Sequence, residues 1–182
     1  MTVPLPAPRD PASYRIAVVC LGNICRSPIA DVVIEERLVT AGLSDVVRVE
    51  SFGTGPWHAG EPMDGRSERV LREAGYDASR HRAQQITAEH AGRFDLVLGM
   101  DGANVTDLLD LLPDDADRVH RFRDLDPEGP GDVPDPYTGG PEGFTSTLAT
   151  VERTADALVA ALADLPLTDM PLVGVPAREP TA

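Results

Sequence analysis

The chain has 182 residues, of which 42% are hydrophobic and 25% charged, as in an ordinary soluble domain with a complete core. Its net charge of −14 argues against nucleic acid or an anionic membrane as the main partner, because both would repel an acidic surface. No apolar stretch reaches the ~20 residues that a membrane-spanning helix needs.

The apolar pattern along the chain alternates between strands and helices. Near-continuous or alternating apolar residues predict strands in segments 15–20, 46–52, 94–100 and 119–122. Helical spacing predicts helices in segments 28–42, 67–74, 87–90, 104–112 and 145–165. This alternation predicts a single-domain, three-layer α/β fold over residues 15–165, with a four-stranded parallel sheet flanked by helices on both faces. Residues 1–14 are expected to form a flexible N-terminal tail and residues 166–182 a proline-containing C-terminal tail.

The N-terminus and the cysteines bear on the compartment of the protein. The first eleven residues contain four prolines and lack the basic and apolar regions of a secretory signal. The two cysteines, Cys20 and Cys25, lie in one short stretch, which excludes a disulfide framework. We therefore expect a cytoplasmic protein, although secretion by a route without a signal peptide stays open.

Several candidate residues fall just after predicted strands. Cys20 and Asp101 each end a strand, and a Gly/Pro-rich loop over residues 53–65, which holds the single tryptophan Trp57, follows another. A second long loop, residues 124–143, is acidic and rich in proline and glycine, as functional loops often are. Because ligands of parallel sheets bind beyond the carboxyl ends of the strands, Cys20, Asp101 and the loop over residues 53–65 predict one site at one edge of the sheet.

The stretch Cys20-Leu-Gly-Asn-Ile-Cys-Arg-Ser-Pro28 joins the first strand to the first helix. Backbone N–H groups before a helix N-terminus bind phosphate, and Arg26 adds a guanidinium that can bind two phosphate oxygens. The same positive field favours the thiolate of Cys20, an in-line nucleophile that needs no general base. A buried cysteine with an incidental arginine is the alternative, but Gly22 and Asn23 tolerate positive φ and favour the phosphate site. The predicted phosphate-binding loop consists of Leu21, Gly22, Asn23, Ile24, Cys25, Arg26 and Ser27.

This stretch resembles the signature of the low-molecular-weight protein tyrosine phosphatases. Further blocks of the same family match in order over residues 51–58, 81–87, 94–104 and 135–137, so the resemblance covers about residues 15–165. It implies the fold of that family and the hydrolysis of phosphotyrosine and other aryl phosphate monoesters through a phosphocysteine, without metal or cofactor. It also implies tyrosine-phosphorylated proteins as substrates, phosphate or sulfate as ligands of the loop, and a monomer without nucleic-acid or membrane partners.

The resemblance assigns the catalytic roles. Cys20 would be the nucleophile, Arg26 the phosphate clamp, and Asp135 the general acid that protonates the leaving group and later accepts a proton from water. Taken alone, Asp-Pro is a common turn and the loop contains other acids, but the chemistry requires an acid and the neighbouring Tyr137 selects Asp135. Support of the loop would fall to Asn23, Ser27, Ser51, His81 and Asp101, and the substrate rim to Ile24, Trp57 and Tyr137.

Some of these residues have simpler interpretations. His81 could be an ordinary histidine, Trp57 a core residue, and Asp101 the N-cap of the helix that contains Asn104. Cys25 could be a packing residue, whereas the resemblance implies a redox partner that pairs reversibly with Cys20.

The chain also departs from the family pattern, and related activities compete. Thr138 stands where many relatives have a second tyrosine, Gln84 replaces an arginine, and Phe52 replaces an alanine. An arsenate reductase of this fold would need further cysteines after Cys25, and the chain has none. A phosphoarginine phosphatase would carry a small threonine where this loop has Ile24. An inactive phosphopeptide-binding module would lack the nucleophile or the acid, and both are present.

Overall fold

The computed structural model describes residues 4–167, and within this range four strands and five α-helices alternate. The strands are β1 (Tyr14–Cys20), β2 (Val47–Gly53), β3 (Leu96–Gly99) and β4 (Val119–Arg121). The helices are α1 (Arg26–Thr40), α2 (Gly65–Glu73), α3 (Ala88–Ala91), α4 (Gly102–Leu111) and α5 (Pro141–Ala163), with 3₁₀ segments at Pro113–Arg118 and Phe122–Leu125. None of these helices is both long and apolar enough to cross a membrane.

The strands form one parallel sheet in the order β2-β1-β3-β4. Cys20 pairs with Gly53 of β2, and Val19 pairs with Gly99 of β3, so three strands end at the same edge. The phosphate-binding loop and Asp101 follow directly from that edge. The predicted fold class is confirmed, and the register brings the candidate residues together.

Successive residues of β1 point to opposite faces of the sheet, and both faces are covered. Ile16 and Val18 belong to the core formed with α1, α2 and α5. Ala17 and Val19 belong to a second core with residues from α3 and α4. A strand buried on both faces accounts for the near-continuous apolar run in the sequence.

The element boundaries differ from the predicted ones by a few residues. Helix α5 begins at Pro141, four residues before the predicted start, because Gly140 serves as N-cap and proline suits the first helical turn. Helix α1 begins at Arg26, so Pro28 lies inside its first turn, where a missing N–H removes no helical hydrogen bond.

Residues 4–13, which the sequence predicts to be a flexible tail, lie against the domain. The Arg9 N–H donates to Oδ1 of Asp95 at 2.6 Å, and its guanidinium forms an ion pair of 2.7 Å with Asp115. The Tyr14 hydroxyl donates to the carbonyl of Pro6 at 3.1 Å. Of the predicted C-terminal tail, only residues 166 and 167 are described.

Asp126 fastens the acidic loop to α5. Its buried carboxylate accepts hydrogen bonds from Arg153 at 2.7 Å and from Arg123 at 2.8 Å. The hydrogen bonds from Arg153 outweigh burial and hold the pKa of Asp126 well below its ordinary value. Further along, the Val133 N–H donates to the carbonyl of Met100 at 2.8 Å, which brings the loop across the end of β3. Asp135 is thereby placed above the phosphate-binding loop.

Candidate active site

The phosphate-binding loop turns sharply from β1 into α1. Asn23 adopts a φ of +55°, the left-handed conformation that asparagine tolerates better than most residues. Gly53 packs against the loop so closely that a Cβ there would lie 2.9 Å from the carbonyl oxygen of Leu21. The glycine after β2 therefore has a packing role that the sequence pattern alone does not reveal.

The side chain and backbone of Asn23 connect the loop to its surroundings. Its Nδ2 donates to Oγ of Ser27 at 2.9 Å, and its Oδ1 accepts from the Gln84 N–H at 2.8 Å. Its carbonyl lies 2.8 Å from Nε2 of His81. Burial lowers the pKa of His81, which favours a neutral ring that donates through Nε2–H. His81 therefore contacts the loop directly.

Ser27 lies beside the sulfur of Cys20, with Oγ and Sγ 3.0 Å apart. Its Oγ also lies 3.0 Å from the carbonyl oxygen of Phe52. A hydroxyl has one proton, so it can donate to only one of these two acceptors at a time. When Cys20 is a thiol, Ser27 can donate to Phe52; when Cys20 is a thiolate, the proton can turn towards the sulfur and stabilise its charge.

Arg26 is buried beneath the pocket and is held by two carboxylates. Its Nη1 donates to Oδ2 of Asp101 at 2.6 Å and to the carbonyl of Val133 at 3.1 Å, and its Nη2 donates to Oδ2 of Asp135 at 2.8 Å. Burial lowers the pKa of Arg26, but the hydrogen bond to Asp101 and the negative charges of Cys20 and Asp135 raise it above its ordinary value. The buried Nε–H has no hydrogen-bond partner within residues 4–167, so this donor is available to an anion.

A pocket of about 140 Å³ opens above the loop. It is lined by Cys20, Leu21, Gly22, Ile24, Cys25, Arg26, Trp57, His58, Asp135 and Tyr137. Trp57 is 67% exposed and Tyr137 50% exposed, so both line the mouth of the pocket and neither is a core residue. The three predicted catalytic residues and the three predicted rim residues therefore meet at one pocket.

Three other acids of the acidic loop have partners elsewhere. Asp124 accepts from the N–H of Arg121, and Asp132 lies 3.6 Å from the guanidinium of the same arginine. Asp126 is tied to α5, as described above. Asp135 is the acid of this loop that lines the pocket, and its carboxylate also accepts from the Tyr137 N–H at 3.1 Å.

Asp101 makes both of the contacts that the sequence leaves as alternatives. Its Oδ1 caps α4 by accepting from the Asn104 N–H at 2.8 Å, while its Oδ2 binds Arg26. One carboxylate has two oxygens, so capping the helix and orienting the guanidinium are compatible.

Ser51 contacts the loop only indirectly. Its hydroxyl donates to Oδ2 of Asp31 on α1 at 2.9 Å, and its carbonyl accepts from Nε2 of Gln84 at 3.1 Å. Gln84 in turn holds Asn23. The supporting network thus includes Asp31 and Gln84; the sequence predicts a role for neither, although Gln84 stands out as a departure from the family pattern.

We expect Asp31 to make the stability of the protein depend on pH. Burial raises the pKa of Asp31 to about 7, with Glu35 and Glu50 adding to the rise and Ser51 and Arg80 opposing it. Between pH ~4 and ~7 the folded state holds a proton that the unfolded state releases, so stability falls as pH rises through this window.

We expect Asp31→Asn, which keeps an acceptor for Ser51, to raise the free energy of unfolding above pH 7 by about 1–2 kcal/mol, less than the full shift because the side chain lines an open depression. Near pH 4 the two proteins should be equally stable. Urea unfolding from pH 4 to 8 measures this, with Glu36→Gln as control, because Glu36 is an exposed acid of the same helix that is not among the groups that shift the pKa of Asp31. Parallel curves for wild type and Asp31→Asn would contradict the prediction.

Two further residues, one that lines the pocket and one that contacts its rim, are not predicted from the sequence. His58 lines the pocket and pairs through Nδ1 with Glu61 at 2.7 Å. The guanidinium of Arg66 lies over the rings of Phe144, at 4.5 Å, and Tyr137, at 5.6 Å. Arg66 thereby joins α2 to the loop that carries Asp135. In the sequence, the position of His58 next to Trp57 is the one signal that could have indicated that His58 lines the pocket.

Known proteins are similar to this chain over most of the described domain. A family model described as low molecular weight phosphotyrosine protein phosphatase matches residues 15–165. A low molecular weight protein-tyrosine-phosphatase of Streptomyces coelicolor is 43% identical over 155 residues, which cover 82% of this chain and 94% of that protein. Low molecular weight protein-tyrosine phosphatase A of Mycobacterium tuberculosis is 41% identical over 146 residues, covering 79% of this chain and 88% of that protein.

Solved structures share the fold. A protein tyrosine phosphatase from Entamoeba histolytica, crystallised with Hepes in the active site, has a TM-score of 0.80 at 30% identity and covers 84% of this chain and 98% of its own. An arginine phosphatase from Geobacillus stearothermophilus has a TM-score of 0.73 at 29% identity and covers 82% and 93%. Since the family model spans nearly the whole described domain and the relatives align over most of their length, the chain belongs to the low molecular weight protein-tyrosine phosphatase family of hydrolases.

Proposed function

We propose that the protein hydrolyses phosphotyrosine in proteins through a phosphocysteine at Cys20, with Asp135 as general acid and base. The observation that carries this proposal is that Cys20 and Arg26 line one pocket and that the buried Nε–H of Arg26, a cationic donor, has no hydrogen-bond partner within the described chain. A phosphate oxygen supplies the missing acceptor. Backbone N–H groups before α1 and the dipole of that helix add further stabilisation for a dianion.

In the first step the thiolate of Cys20 attacks phosphorus and the bond to the phenolic oxygen breaks. Asp135 donates its proton to that oxygen, so tyrosine leaves neutral. A bound phosphate competes with Asp135 for the guanidinium of Arg26 and, being negative, favours the protonated carboxyl. The ion pair between Asp135 and Arg26 is therefore exchanged for one between substrate and Arg26.

In the second step water attacks the phosphocysteine. The carboxylate of Asp135 accepts a proton from that water, and the bond between phosphorus and sulfur breaks. The hydroxyl of Ser27, 3.0 Å from Sγ, can donate to the departing thiolate. Inorganic phosphate is released, and the thiolate and the protonated acid are restored together.

The walls of the pocket favour an aromatic ester over phosphoarginine. Ile24 narrows the pocket, and Trp57 and Tyr137 offer ring faces at its mouth. We expect wild type to hydrolyse a phosphotyrosine peptide faster than the same peptide carrying phosphoarginine, and Ile24→Thr to reduce that preference. Phosphate release from the two peptides tests this, and faster release from phosphoarginine would overturn the substrate class.

Cys25 is a buried thiol in the same loop, and burial raises its pKa to about 12. It is therefore neutral where Cys20 acts as thiolate. We propose that hydrogen peroxide oxidises Cys20 to a sulfenic acid and that the Cys25 sulfur then attacks it. A disulfide forms, and the Cys25 proton leaves with the sulfenic hydroxyl as water.

After peroxide followed by dithiothreitol, we expect wild type to recover activity and Cys25→Ser to lose it irreversibly, because its sulfenic acid oxidises further. Residual turnover measures the difference, and mass spectrometry should show the oxidised wild type lighter by two hydrogens. Equal irreversible loss in both proteins would remove the protective role of Cys25.

A further inference from the structure

A second groove, with a volume of about 340 Å³, lies beside the active-site pocket. Leu21 and Trp57 line both cavities, and both side chains are exposed. Successive residues of an extended peptide are about 3.3 Å apart, so neighbours of a residue held in the pocket lie within reach of the groove. The groove is therefore continuous with the path that a protein substrate takes to Cys20.

The lining of this groove combines apolar residues with the polar Thr54 and Gln85 and with one charge. Ile86 and Leu108 are buried beneath it, and Leu111 is half-buried at its side. Asp107, an exposed residue of α4, is the one charged residue that lines it in the described chain. Its carboxylate forms no hydrogen bond or ion pair with residues 4–167, whereas Asp101 at the start of the same helix is fully engaged.

We propose that this groove is a substrate subsite that binds the side chain of an arginine or lysine within two residues of the phosphotyrosine, an inference that rests on the function proposed above. The methylene stem of such a side chain lies against Leu21 and Trp57, whose ring also attracts a cation. Its charged head reaches Asp107.

Other flanking residues fit the groove less well. An apolar side chain covers the carboxylate of Asp107 without supplying a partner for it, which costs solvation free energy. An acidic side chain is repelled by that carboxylate and by the net charge of −14. A basic side chain satisfies both the apolar walls and the charge.

Paired phosphotyrosine peptides test the subsite. Each pair differs only by arginine or glutamate at one of the two positions before or after the phosphotyrosine, and 4-nitrophenyl phosphate, which has no flanking residues, is the reference substrate. For wild type we expect kcat/KM to favour arginine by about fivefold at one position or more, the effect of a partly exposed ion pair. Asp107→Arg should reverse this preference and leave hydrolysis of 4-nitrophenyl phosphate unchanged.

Asp110→Arg is the matched control, because Asp110 is an exposed acid of the same helix that does not line the groove. It should leave the preference close to that of wild type. An equal shift in both variants would assign the preference to overall charge and overturn the subsite, as would a wild type that does not distinguish the peptides. A wild type that hydrolyses neither the peptides nor 4-nitrophenyl phosphate would instead contradict the proposed function, and the subsite with it.

Discussion

Cys20→Ser is expected to abolish phosphatase activity, lowering kcat by about 10⁴-fold or more, because the proposed reaction needs an anionic sulfur and the pocket offers no base to a hydroxyl. Within the described chain Sγ has one hydrogen-bond partner, the hydroxyl of Ser27, which is not a base. The nearby Asp135 is engaged by Arg26. A serine at position 20 would therefore stay protonated and fail to attack phosphorus. Release of 4-nitrophenol from its phosphate ester measures the loss.

The same variant should keep the fold and the anion site. Serine differs from cysteine only by an oxygen in place of the sulfur. Arg26 and the backbone N–H groups of the loop remain in place. Titration calorimetry with inorganic phosphate should therefore show binding by Cys20→Ser, with an unchanged melting temperature. Ser27→Ala, which removes the partner of the sulfur and leaves the nucleophile, should retain measurable turnover. Turnover of Cys20→Ser at the wild-type rate would contradict the proposed mechanism.

The parts of this molecule that the sequence predicts are those set by local patterns. The strand ending at Cys20 and the helix after it follow from hydrophobic spacing and from Pro28. Because parallel strands end at a common edge, the convergence of Cys20 and Asp101 follows from the order of elements alone. The same order places the loop that holds Trp57 at this edge, but the roles of Trp57 in the rim and of Asp135 as acid required the resemblance, since loop conformation is decided by tertiary contacts and not by spacing.

The parts that the sequence does not predict depend on contacts between distant segments. Asp31, half-buried on α1, accepts a hydrogen bond from Ser51 of β2, a pairing that no periodicity in the sequence marks. Arg66 is an ordinary surface arginine in the sequence, yet in the fold it stacks on Phe144 and Tyr137. The two interpretations of Asp101 that the sequence leaves open do not exclude each other, because the carboxylate both caps a helix and binds Arg26.

Asp135→Asn is the second substitution with a large expected effect. The asparagine keeps the shape of the side chain and an acceptor for the Tyr137 N–H, but it has no acidic proton to transfer to the leaving group. We expect kcat for phosphotyrosine to fall by about 10²–10⁴-fold, the usual size of general acid catalysis. The loss should be smaller for 4-nitrophenyl phosphate, because 4-nitrophenolate leaves readily without a proton. Measuring phosphocysteine formation in rapidly quenched samples separates the transfer of phosphate to Cys20 from the later hydrolysis of the phosphocysteine.

Asp132→Asn is the control that separates acid catalysis from the charge of the loop. Asp132 lies three residues before Asp135, contacts Arg121 and the Gly102 N–H, and does not line the pocket. It carries the same charge, so a general electrostatic effect would appear in both variants. We expect Asp132→Asn to retain nearly the wild-type kcat and the same pH–rate profile, whereas Asp135→Asn loses the limb of the profile that reports the acid. Equal effects of the two substitutions, or a loss at Asp135 that does not depend on the leaving group, would contradict the role of Asp135 as general acid.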